Sequence, residues 1–554
     1  MKSERKRIVI VGASAAGLRC ACRLARLKPD WQITLVEARR KFSFAACGLP
    51  YALSGDIDDF DALRRTDDGA LRDVDYFRNI KGFEVLCGQR AVSIDVTGHK
   101  LATSGSHGAN ILAWDELVLA TGSRPQTLPG QPSHPRVRPF HSLDDLEALH
   151  AGLAGRKIQR VVVIGAGLVG CELAEAFSVM WGAEVTLIEA ASDPLSGLLD
   201  AELAGIVKRE IEKNDVQFFP GCAVESITAG DAGASVSIGD REFRGDAIVV
   251  AVGVVPATAL ARTAEVALGP KGAILVDDRL ATSIDHIWAI GDCVLSRNSV
   301  TADNSFLPLG SLANRQGRTL ANILAGREER FPAIAGAVAV KVFDCNVAAV
   351  GLTREQALQC GIRARSVWVH SHDSAHYWPA AKEIALQLTY EQESLRILGM
   401  QAAGEGEVAK RVDLACLFIA KGASIEDLAQ LEHAYAPPYA PAIDPLATTA
   451  FVAANQEEGV ESISPLADLS AACVIDVRHS FEIEARPLNA HSLKIIPLEE
   501  IRQRFTEIDG ADNVVVCERG TRAAEAVRWL RGKGMFLRFL GGGLRFRELA
   551  GGGF

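Results

Sequence analysis

The sequence has no CxxC pair among its 12 cysteines, and the closest two are Cys20 and Cys22. This scatter excludes a zinc-ribbon motif and the regularly spaced cysteines of a small secreted disulfide scaffold. We therefore expect reduced thiols, no bound metal and a cytoplasmic protein.

The chain also lacks excess positive charge and long hydrophobic runs. Its net charge of −10 and pI of about 5.7 argue against nucleic acid as the main partner. No apolar stretch approaches the roughly 18 residues of a membrane span, so no membrane partner is expected. The opening "MKSERKRIVIVGASAAGL" imitates a signal peptide, but it fits the nucleotide-binding pattern below more closely, so we expect no export.

An internal repeat organises the first half of the chain. "RIVIVGASAAGLRCACRLARL" predicts a strand, a glycine-rich turn and a helix, and the following strand ends near Glu37. "RVVVIGAGLVGCELAEAFSVM" repeats the pattern, and its next strand ends at Glu189. In this second copy Gly165, Gly167 and Gly170 form GxGxxG, which allows a tight turn and close approach of a pyrophosphate to a helix N-terminus.

The first copy keeps Gly12 and Gly17 but has Ser14 at the middle position. Two such units in one chain indicate two nucleotides, a flavin and a nicotinamide. Glu189 can accept hydrogen bonds from a ribose, and no arginine stands near it to bind a 2′-phosphate, so NADH is favoured over NADPH. The simpler alternative is a pair of α/β domains with glycine-rich turns.

Three further segments resemble the flavin–nicotinamide oxidoreductases of the two-dinucleotide-binding fold. They are "LVLATGSRP", "VVAVGVVP" and "IWAIGDC". The resemblance assigns the flavin ribityl chain to Asp292. It implies an FAD site at Gly12, Ser14, Ala16, Gly17, Glu37, Ser43, Ala120, Thr121, Gly122 and Asp292, and an NAD site at Gly165, Gly167, Gly170, Glu189 and Gly253.

"SFAACGLPY" contains a single cysteine, Cys47, and resembles the SFxxC motif of coenzyme A disulfide reductases and their persulfide-reducing relatives. A lone thiolate beside a flavin can attack a disulfide or persulfide, because the substrate supplies the second sulfur. NADH oxidases and peroxidases are the rival, but they carry a histidine in the first glycine turn, where this chain has Ala15. The alternative is that Cys47 is a small buried apolar residue, and its place after the flavin-ribose strand argues against that interpretation.

Coenzyme A is a polyanion, so a basic cluster is expected near the cysteine. Arg19, Arg23 and Arg26 follow the first turn at helical spacing, and a run from Arg39 to Lys41 precedes the SFxxC segment. The resemblance assigns CoA binding to Arg23 and Arg26, with Ser43. Alternatively, these cations only complement a helix dipole.

After residue 331 the pattern resembles the small dimerisation domain of this fold. "HYWPAA" and "YAPPYAPAIDPL" resemble segments that carry tyrosines into the partner subunit's active site, which implies a homodimer. Tyr377, Tyr435 and Tyr439 are the candidates. Trp378 occupies a position where relatives have a second tyrosine, and the proline-rich tyrosines could equally be structural.

The last segment resembles the rhodanese domain. "ACVIDVRHSFE" predicts a strand ending in Asp-Val-Arg, and "NVVVCERGTRAAEAVRWLRGKG" predicts a strand, a loop headed by Cys517 and a helix. Backbone N–H groups and nearby arginines in such a loop favour a thiolate or persulfide. The loop is Glu518, Arg519, Gly520, Thr521 and Arg522. The alternatives are a sulfur-sensing or docking module, or a cysteine that merely ends a strand.

The predicted fold class is therefore α/β: a glutathione reductase-like two-dinucleotide-binding flavoprotein with an α+β dimerisation domain and a C-terminal α/β rhodanese-like domain. The expected substrates are small thiols, persulfides or disulfides, with FAD, NADH and coenzyme A as cofactors or carrier. The expected boundaries are 1–150 for the first part of the FAD domain, 151–270 for the NAD domain, 271–330 for the second FAD part, 331–450 for dimerisation, 451–464 for a linker and 465–554 for the rhodanese-like domain.

Overall fold

The computed structural model describes residues 5–106, 108–508 and 513–553. The first unit opens with the buried, β-branched strand RIVIV, which leads through the glycine turn into an amphipathic helix. Its elements are β1 (Arg7–Val11), α1 (Ala15–Leu27), β2 (Gln32–Glu37), α2 (Leu49–Leu53), α3 (Val74–Tyr76) with a π-helical turn (Phe77–Lys81), β3 (Glu84–Cys87), β4 (Gln89–Asp95), β5 (Lys100–Gly105), β6 (Asn110–Ala113), β7 (Glu116–Leu119) and β8 (Ser123–Pro125).

The second unit repeats this order around its own sheet. Its elements are β9 (Val137–Pro139), α4 (Leu143–Ala154), β10 (Arg160–Ile164), α5 (Leu168–Glu175) with a π-helical turn (Ala176–Met180), β11 (Glu184–Ile188), α6 (Ala201–Lys213), β12 (Gln217–Phe219), β13 (Ser226–Gly230), β14 (Gly233–Ile238), β15 (Arg241–Gly245) and β16 (Ala247–Val250). The parallel strands lie in the order β12-β11-β10-β16-β9.

The chain then returns to the first unit. The returning elements are β17 (Val254–Pro256), α7 (Ala259–Arg262), β18 (Ile287–Ala289), β19 (Ser296–Arg297), β20 (Asn304–Ser305) and α8 (Gly310–Leu324). β18 completes a parallel sheet in the order β18-β7-β1-β2-β3. α8 packs so closely on α1 that a Cβ on Gly317 would lie only 2.4 Å from the Ala16 carbonyl oxygen. The carboxyl ends of three strands and the start of α8 therefore meet at one edge, where ligands of such sheets bind.

The third unit is an antiparallel sheet with helices on one face. Its elements are β21 (Val338–Val342), β22 (Cys345–Gly351), α9 (Arg354–Gln359), β23 (Ala364–His372), β24 (Glu383–Glu391), β25 (Ile397–Gly404), α10 (Ala409–Ala420), α11 (Ile425–Ala429) and α12 (Pro445–Glu457). The strand order is β21-β22-β25-β24-β23. Apolar residues of the sheet and of the helices α10 to α12 share one core.

The fourth unit is a five-stranded parallel sheet with helices. Its elements are β26 (Ser462–Ile463), β27 (Cys473–Asp476), α13 (Ser480–Ala485), β28 (Ser492–Ile495), α14 (Ile501–Arg504), β29 (Asn513–Val516), α15 (Thr521–Arg531), β30 (Arg538–Leu540) and α16 (Gly543–Leu549). The order is β26-β30-β29-β27-β28. Short 3₁₀ turns occupy Ala46–Gly48, Phe60–Arg64, Pro270–Gly272, Leu498–Glu500 and Phe505–Glu507. Within the described ranges every helix is too short or too polar to traverse a lipid bilayer.

The fourth unit packs tightly on the rest of the chain. The Arg545 guanidinium on α16 pairs with Glu383 on β24, with 2.6 Å between Nη2 and Oε2. The Ser464 hydroxyl donates to Glu202 Oε1 on α6 at 2.6 Å. Phe546 is fully buried in a core that it shares with the second unit.

The segment 451–464 is not an extended linker, which corrects the sequence-based expectation. It is mostly helical, because α12 begins at an Asp444 cap that accepts the Leu446 backbone N–H and continues past residue 451. Ala450 is fully buried on the inner face of that helix. The Gln456 side-chain oxygen then accepts the Ser462 hydroxyl at 2.7 Å, which leads the chain directly into β26.

Two other boundaries also differ from those expected at residues 151 and 271. β9 joins the second sheet, and the buried leucines of α4 pack into the core of that unit, so the second unit begins before residue 137. α7 packs into the first unit, so the return begins near residue 254. The hydrophobic period of a helix does not reveal which of two similar sheets it covers, and the tertiary packing decides it.

Candidate active site and nucleotide-binding turns

The two glycine-rich turns have the same geometry. Gly12 has φ +114°, and a Cβ there would lie 2.1 Å from the Ala120 carbonyl oxygen. Gly165 has φ +102°, and a Cβ there would lie 2.5 Å from the Ala251 carbonyl oxygen. Both positions therefore require glycine for conformation and for close approach of the neighbouring crossover.

The third glycine of each turn lets the helix pack against the turn. A Cβ on Gly17 or Gly170 would lie 2.0 or 1.8 Å from the carbonyl oxygen of the first glycine in the same turn. The middle positions face open space instead. Ser14 is exposed, and a Cβ on Gly167 would meet no heavy atom within 4 Å.

A glutamate from the next strand closes each turn. Glu37 Oε2 accepts the Ala13 backbone N–H at 2.8 Å, and Glu189 Oε2 accepts the Ala166 backbone N–H at 2.7 Å. Each carboxylate is thus fixed beside its glycine turn and keeps lone pairs for ribose hydroxyls. A negative Glu189 would repel a 2′-phosphate.

The first site has groups that fit FAD. The Ser43 side chain is buried, and its hydroxyl has no hydrogen-bond partner within the described residues. Such a group costs about 1–3 kcal/mol unless a ligand satisfies it. The Ser123 hydroxyl donates to Asp292 Oδ2 at 3.1 Å, and burial raises the pKa of Asp292. A Cβ on Gly122 would meet nothing within 4 Å, which leaves the edge of the sheet open.

The remaining predicted nucleotide residues lie at the same two edges. Thr121 Oγ1 donates to the Ala257 carbonyl oxygen at 2.7 Å, which fixes the first crossover. Ala16 is buried at the start of α1. Gly253 follows β16 with φ +94° and also has open space at its Cβ position.

Cys47 is solvent-exposed in the turn Ala46–Gly48. A Cβ on Gly310 would lie 3.8 Å from the Cys47 sulfur, so the thiol faces the start of α8. Desolvation by surrounding protein atoms raises the pKa of Cys47, and the carboxylates of Glu172 and Asp292 raise it further. The nearest charges are therefore acidic, whereas a basic neighbourhood was expected from the sequence.

Glu172, on α5, was missed in the sequence. The Tyr51 hydroxyl donates to its Oε1 at 3.2 Å. Burial raises the pKa of Glu172 to about 7, and the neighbouring charge of Glu175 also raises it. Glu172 follows the GxGxxG turn and Tyr51 ends the SFAACGLPY segment, but only the fold brings the two segments together.

The helices α1 and α8 present a cationic surface that we call the arginine cluster. Arg23 Nε donates to Asn322 Oδ1 on α8 at 3.0 Å. Desolvation and the neighbouring guanidinium groups lower the pKa of Arg23. The members are Arg19, Arg23 and Arg26 on α1 with Arg318 on α8 and Arg327 just beyond it. Sequence reasoning found the α1 members and missed Arg318 and Arg327, because they follow much later in the chain.

The second basic run, Arg39 to Lys41, does not join the arginine cluster. Lys41 Nζ pairs with Glu147 Oε1 at 2.5 Å, and the Arg39 guanidinium lies 5.9 Å from the Phe44 ring centroid.

The two tyrosine-bearing segments meet on the surface of the third unit. The Ala375 backbone N–H donates to the Pro437 carbonyl oxygen at 3.1 Å. A hydrogen bond to Tyr435 raises the pKa of Tyr377. Tyr377, Tyr435 and Tyr439 are 63%, 50% and 72% exposed, and Trp378 is also exposed.

Cys517 lies inside its loop in the fourth unit, with 1% exposure. Its sulfur accepts the Gly520 backbone N–H at 3.1 Å and the Ala523 backbone N–H at 3.4 Å. The Leu544 backbone N–H donates to the Cys517 carbonyl oxygen at 2.9 Å, which ties α16 to the loop. The sulfur thus lies at the N-terminal end of α15, among aligned backbone donors.

The charged side chains of this loop point to other partners. Arg522 pairs with Glu482 (2.5 Å between Nη2 and Oε1), and Glu518 pairs with Arg486. Arg519 Nη1 lies 3.4 Å from His372 Nδ1, at the boundary with the third unit. Thr521 begins α15.

Two family models match the chain. One, the pyridine nucleotide-disulphide oxidoreductase model, covers residues 6–316. The other, the dimerisation domain of the same family, covers residues 337–447. The chain belongs to the pyridine nucleotide-disulphide oxidoreductase family.

Two proteins of this family with known structures match the chain through the fourth unit as well. An NAD-dependent persulfide reductase from A. fulgidus is 36% identical, with a TM-score of 0.93 over 98% of this chain and 99% of the other. A Bacillus anthracis protein described as CoADR-RHD is 29% identical, with a TM-score of 0.91 over 99% of both chains. The NAD(P)H sulfur oxidoreductase (CoA-dependent) of Pyrococcus abyssi is 30% identical over 81% of this chain and 98% of its own. The predicted fold class, with a rhodanese-like fourth unit, is confirmed.

Proposed function

We propose that the protein is an FAD-dependent NADH oxidoreductase that reduces CoA persulfide, polysulfide or CoA disulfide through Cys47. The observation that carries this is a single exposed thiol at the edge where the first sheet meets α8. Asp292 lies close enough for its charge to act on that thiol. All described cysteines are unpaired, so the substrate supplies the second sulfur. The resemblance of the motif and the CoA-linked names of the relatives support the choice of substrate.

FAD, when bound, supplies two-electron transfer between nicotinamide and sulfur. The first glycine turn, Glu37, the unpartnered Ser43 hydroxyl and Asp292 would hold it. The second turn and Glu189 would hold the nicotinamide dinucleotide and favour NADH over NADPH, because the fixed carboxylate repels a 2′-phosphate.

At Cys47 the sulfur chemistry balances without a second protein thiol. The Cys47 thiolate attacks the CoA-bound sulfur of CoA–S–SH, the S–S bond breaks, hydrosulfide leaves and Cys47–S–S–CoA forms. Two electrons and one proton then break that bond, which returns the thiolate and releases the CoA thiol. The arginine cluster would bind the CoA phosphates, and exposed tyrosines of a partner subunit would complete the pocket of a homodimer.

The fourth unit would accept sulfane sulfur on Cys517 and pass it to a small thiol such as CoA. Backbone N–H groups around the Cys517 sulfur support this role, since they stabilise a negative thiolate or persulfide. A module that only senses sulfur would show no transfer activity. The oxidase alternative lacks an acid–base histidine in the first turn, where Ala15 stands.

The two cysteines can be separated by substitution. Cys47→Ser should lower NADH-dependent reduction of CoA persulfide and CoA disulfide by roughly three orders of magnitude, because a serine hydroxyl forms no mixed disulfide. Mass spectrometry should detect the Cys47–CoA adduct in the wild type alone. Cys517→Ser should abolish sulfur transfer from thiosulfate to cyanide while reduction of preformed CoA persulfide continues.

Cys360→Ser is the matched control, since Cys360 is also exposed but lies at the end of α9. A Cys47→Ser enzyme that retains sulfur-acceptor turnover would refute the proposal. NADH consumption with oxygen alone, and with no sulfur acceptor, would favour the oxidase function.

A further inference from the structure

A cavity of about 440 Å³ separates the rhodanese-like unit from the dimerisation unit. One wall is the end of β23, the second is α12, and the third combines α15 with part of the Cys517 loop. Gly520 lines the cavity, and its backbone N–H contacts the Cys517 sulfur at 3.1 Å. Gly520 therefore contacts both the cavity and the buried Cys517 sulfur. Its volume lies within the roughly 300–1,000 Å³ typical of pockets for organic ligands.

His370 belongs to the cavity wall, but its ring is buried and does not open onto the cavity. Its side chain is 0% exposed, and neither ring nitrogen has a hydrogen-bond partner within the described residues. The nearest carboxylate oxygen, Glu383 Oε1, lies 3.5 Å from Nε2 and is engaged by Arg545. Burial lowers the pKa of His370 to about 3, so the ring is neutral and offers one donor and one acceptor. The neutral ring therefore adds no charge to the cavity wall.

Two opposite charges on the cavity wall have no ionic partner among the described residues. Arg519 has no carboxylate of that part of the chain within ion-pair distance, and its Nη1 lies 3.4 Å from His372 Nδ1. Glu525, one helical turn along α15, likewise forms no ion pair within the described ranges. Arg528, by contrast, is neutralised by Glu458 at 3.2 Å. In the part of the chain that the structure describes, this wall thus offers a cation and an anion without ionic partners, and they match the carboxylate and ammonium groups of an α-amino acid.

We propose that the cavity binds an amino-acid- or peptide-sized persulfide, as the sulfur donor for Cys517, with Arg519 on its carboxylate and Glu525 on its ammonium group. The proposal rests on the sulfur-accepting role proposed for the tail. Apolar cavity residues such as Phe451 and Phe539 cover the carbon chain. Thiosulfate, which carries no ammonium group and little bulk, would leave Glu525 and most of the cavity unused.

The proposed reaction transfers one sulfur atom from the donor to Cys517. The Cys517 thiolate attacks the outer sulfur of R–S–SH, the S–S bond breaks, Cys517–S–SH forms and the thiolate R–S⁻ leaves. The backbone donors around the Cys517 sulfur then hold the persulfide.

The test uses the full-length holoenzyme with saturating CoA, which occupies the site proposed near Cys47. S-methylglutathione is the probe, because it carries the zwitterion and no reactive thiol, and calorimetry measures its dissociation constant. Arg519→Ala and Glu525→Gln should each weaken binding at least about tenfold, since each removes a charge-assisted hydrogen bond. Thiosulfate binding should respond to Arg519→Ala and not to Glu525→Gln.

Arg502→Ala is the control, because Arg502 is an exposed cation of the same unit outside the cavity. Arg519 and Glu525 are themselves exposed, so neither variant disturbs the core of the fourth unit. Equal dissociation constants in the wild type and both charge variants would overturn the proposal, as would no binding at millimolar probe. Binding that depends on both charges, in an enzyme with no sulfurtransfer, would keep the site and refute the function proposed for Cys517. Sulfurtransfer without probe binding would refute the proposed cavity site and keep the function proposed for Cys517.

Discussion

The thiol of Cys47 lies in surroundings that oppose its ionisation. Its pKa is raised by desolvation first and then by Glu172 and Asp292. A thiol in this setting is mostly protonated at neutral pH. The Cys47 thiol must therefore lose its proton before it can attack a persulfide or a disulfide.

At the residue scale we predict the effect of Glu172→Gln on this thiol. Glu172 is ionised above about pH 7, so its charge opposes thiolate formation throughout the alkaline range where Cys47 titrates. Removing the charge should lower the pKa of Cys47, and alkylation by iodoacetamide should reach its half-maximal rate at a lower pH. Mass spectrometry of the Cys47 peptide measures this rate.

Glu175→Gln is the control, because Glu175 is on the same helix but is neutralised by Lys341. An unchanged alkylation profile in Glu172→Gln would show that Asp292 and desolvation alone set the pKa of Cys47.

Residues with local signals could be predicted from the sequence. The glycines, Glu37 and Glu189 belong to strand–turn–helix patterns that the chain builds over short distances. His370 and the Tyr51–Glu172 pair could not be predicted, because each is defined by segments that only the tertiary fold brings together.

At the element scale, the pairing of α1 with α8 creates the arginine cluster, since neither helix alone carries it. We predict that Arg318→Ala raises the KM for CoA substrates about tenfold, because one charge-assisted phosphate contact is worth about 1.5–3 kcal/mol. The turnover number should change little, since the substitution is remote from the reacting sulfur. Steady-state kinetics with CoA disulfide measures both.

Arg315→Ala is the matched control on α8, because the Arg315 guanidinium lies over the Phe331 ring at 5.4 Å and outside the arginine cluster. An equal KM for Arg318→Ala and the wild type would place the CoA phosphates elsewhere.

The sequence analysis also missed that residues 451–457 belong to α12, and the cause again lies in how the elements pack. "FVAANQEEGVESISP" contains few large apolar residues, so it reads as a polar connection. In the structure small side chains such as Ala450 and Ala453 are fully buried against the dimerisation sheet. Close packing of alanine gives little hydrophobic periodicity, and the helix therefore leaves a weak signal.

At the scale of the whole molecule, we propose that exposed aromatic residues of one subunit complete the site of a second subunit. Tyr377, Tyr435 and Tyr439 lie together on the surface of the dimerisation unit. We predict that hybrid dimers of Cys47→Ser with Tyr439→Phe recover activity, because one of their two sites is intact if the tyrosine acts in trans. Differently tagged, co-purified hybrids assayed with NADH and CoA persulfide measure this.

Homodimers of each variant are the controls, and both should be slow. Hybrids no faster than the two homodimers would mean that cysteine and tyrosine act within one subunit.

The helical course of residues 451–457 also affects how the protein is degraded. A protease needs an extended stretch of chain to enter its cleft, and such stretches are usually found between domains. Here a hydrogen bond between Gln456 and Ser462 fixes the course of the chain from α12 into β26. Phe546 of the fourth unit is buried in a core shared with the second unit. The reductase and rhodanese-like units are therefore expected to resist proteolysis as one unit. A protease can release either of them only after the interface between them has opened.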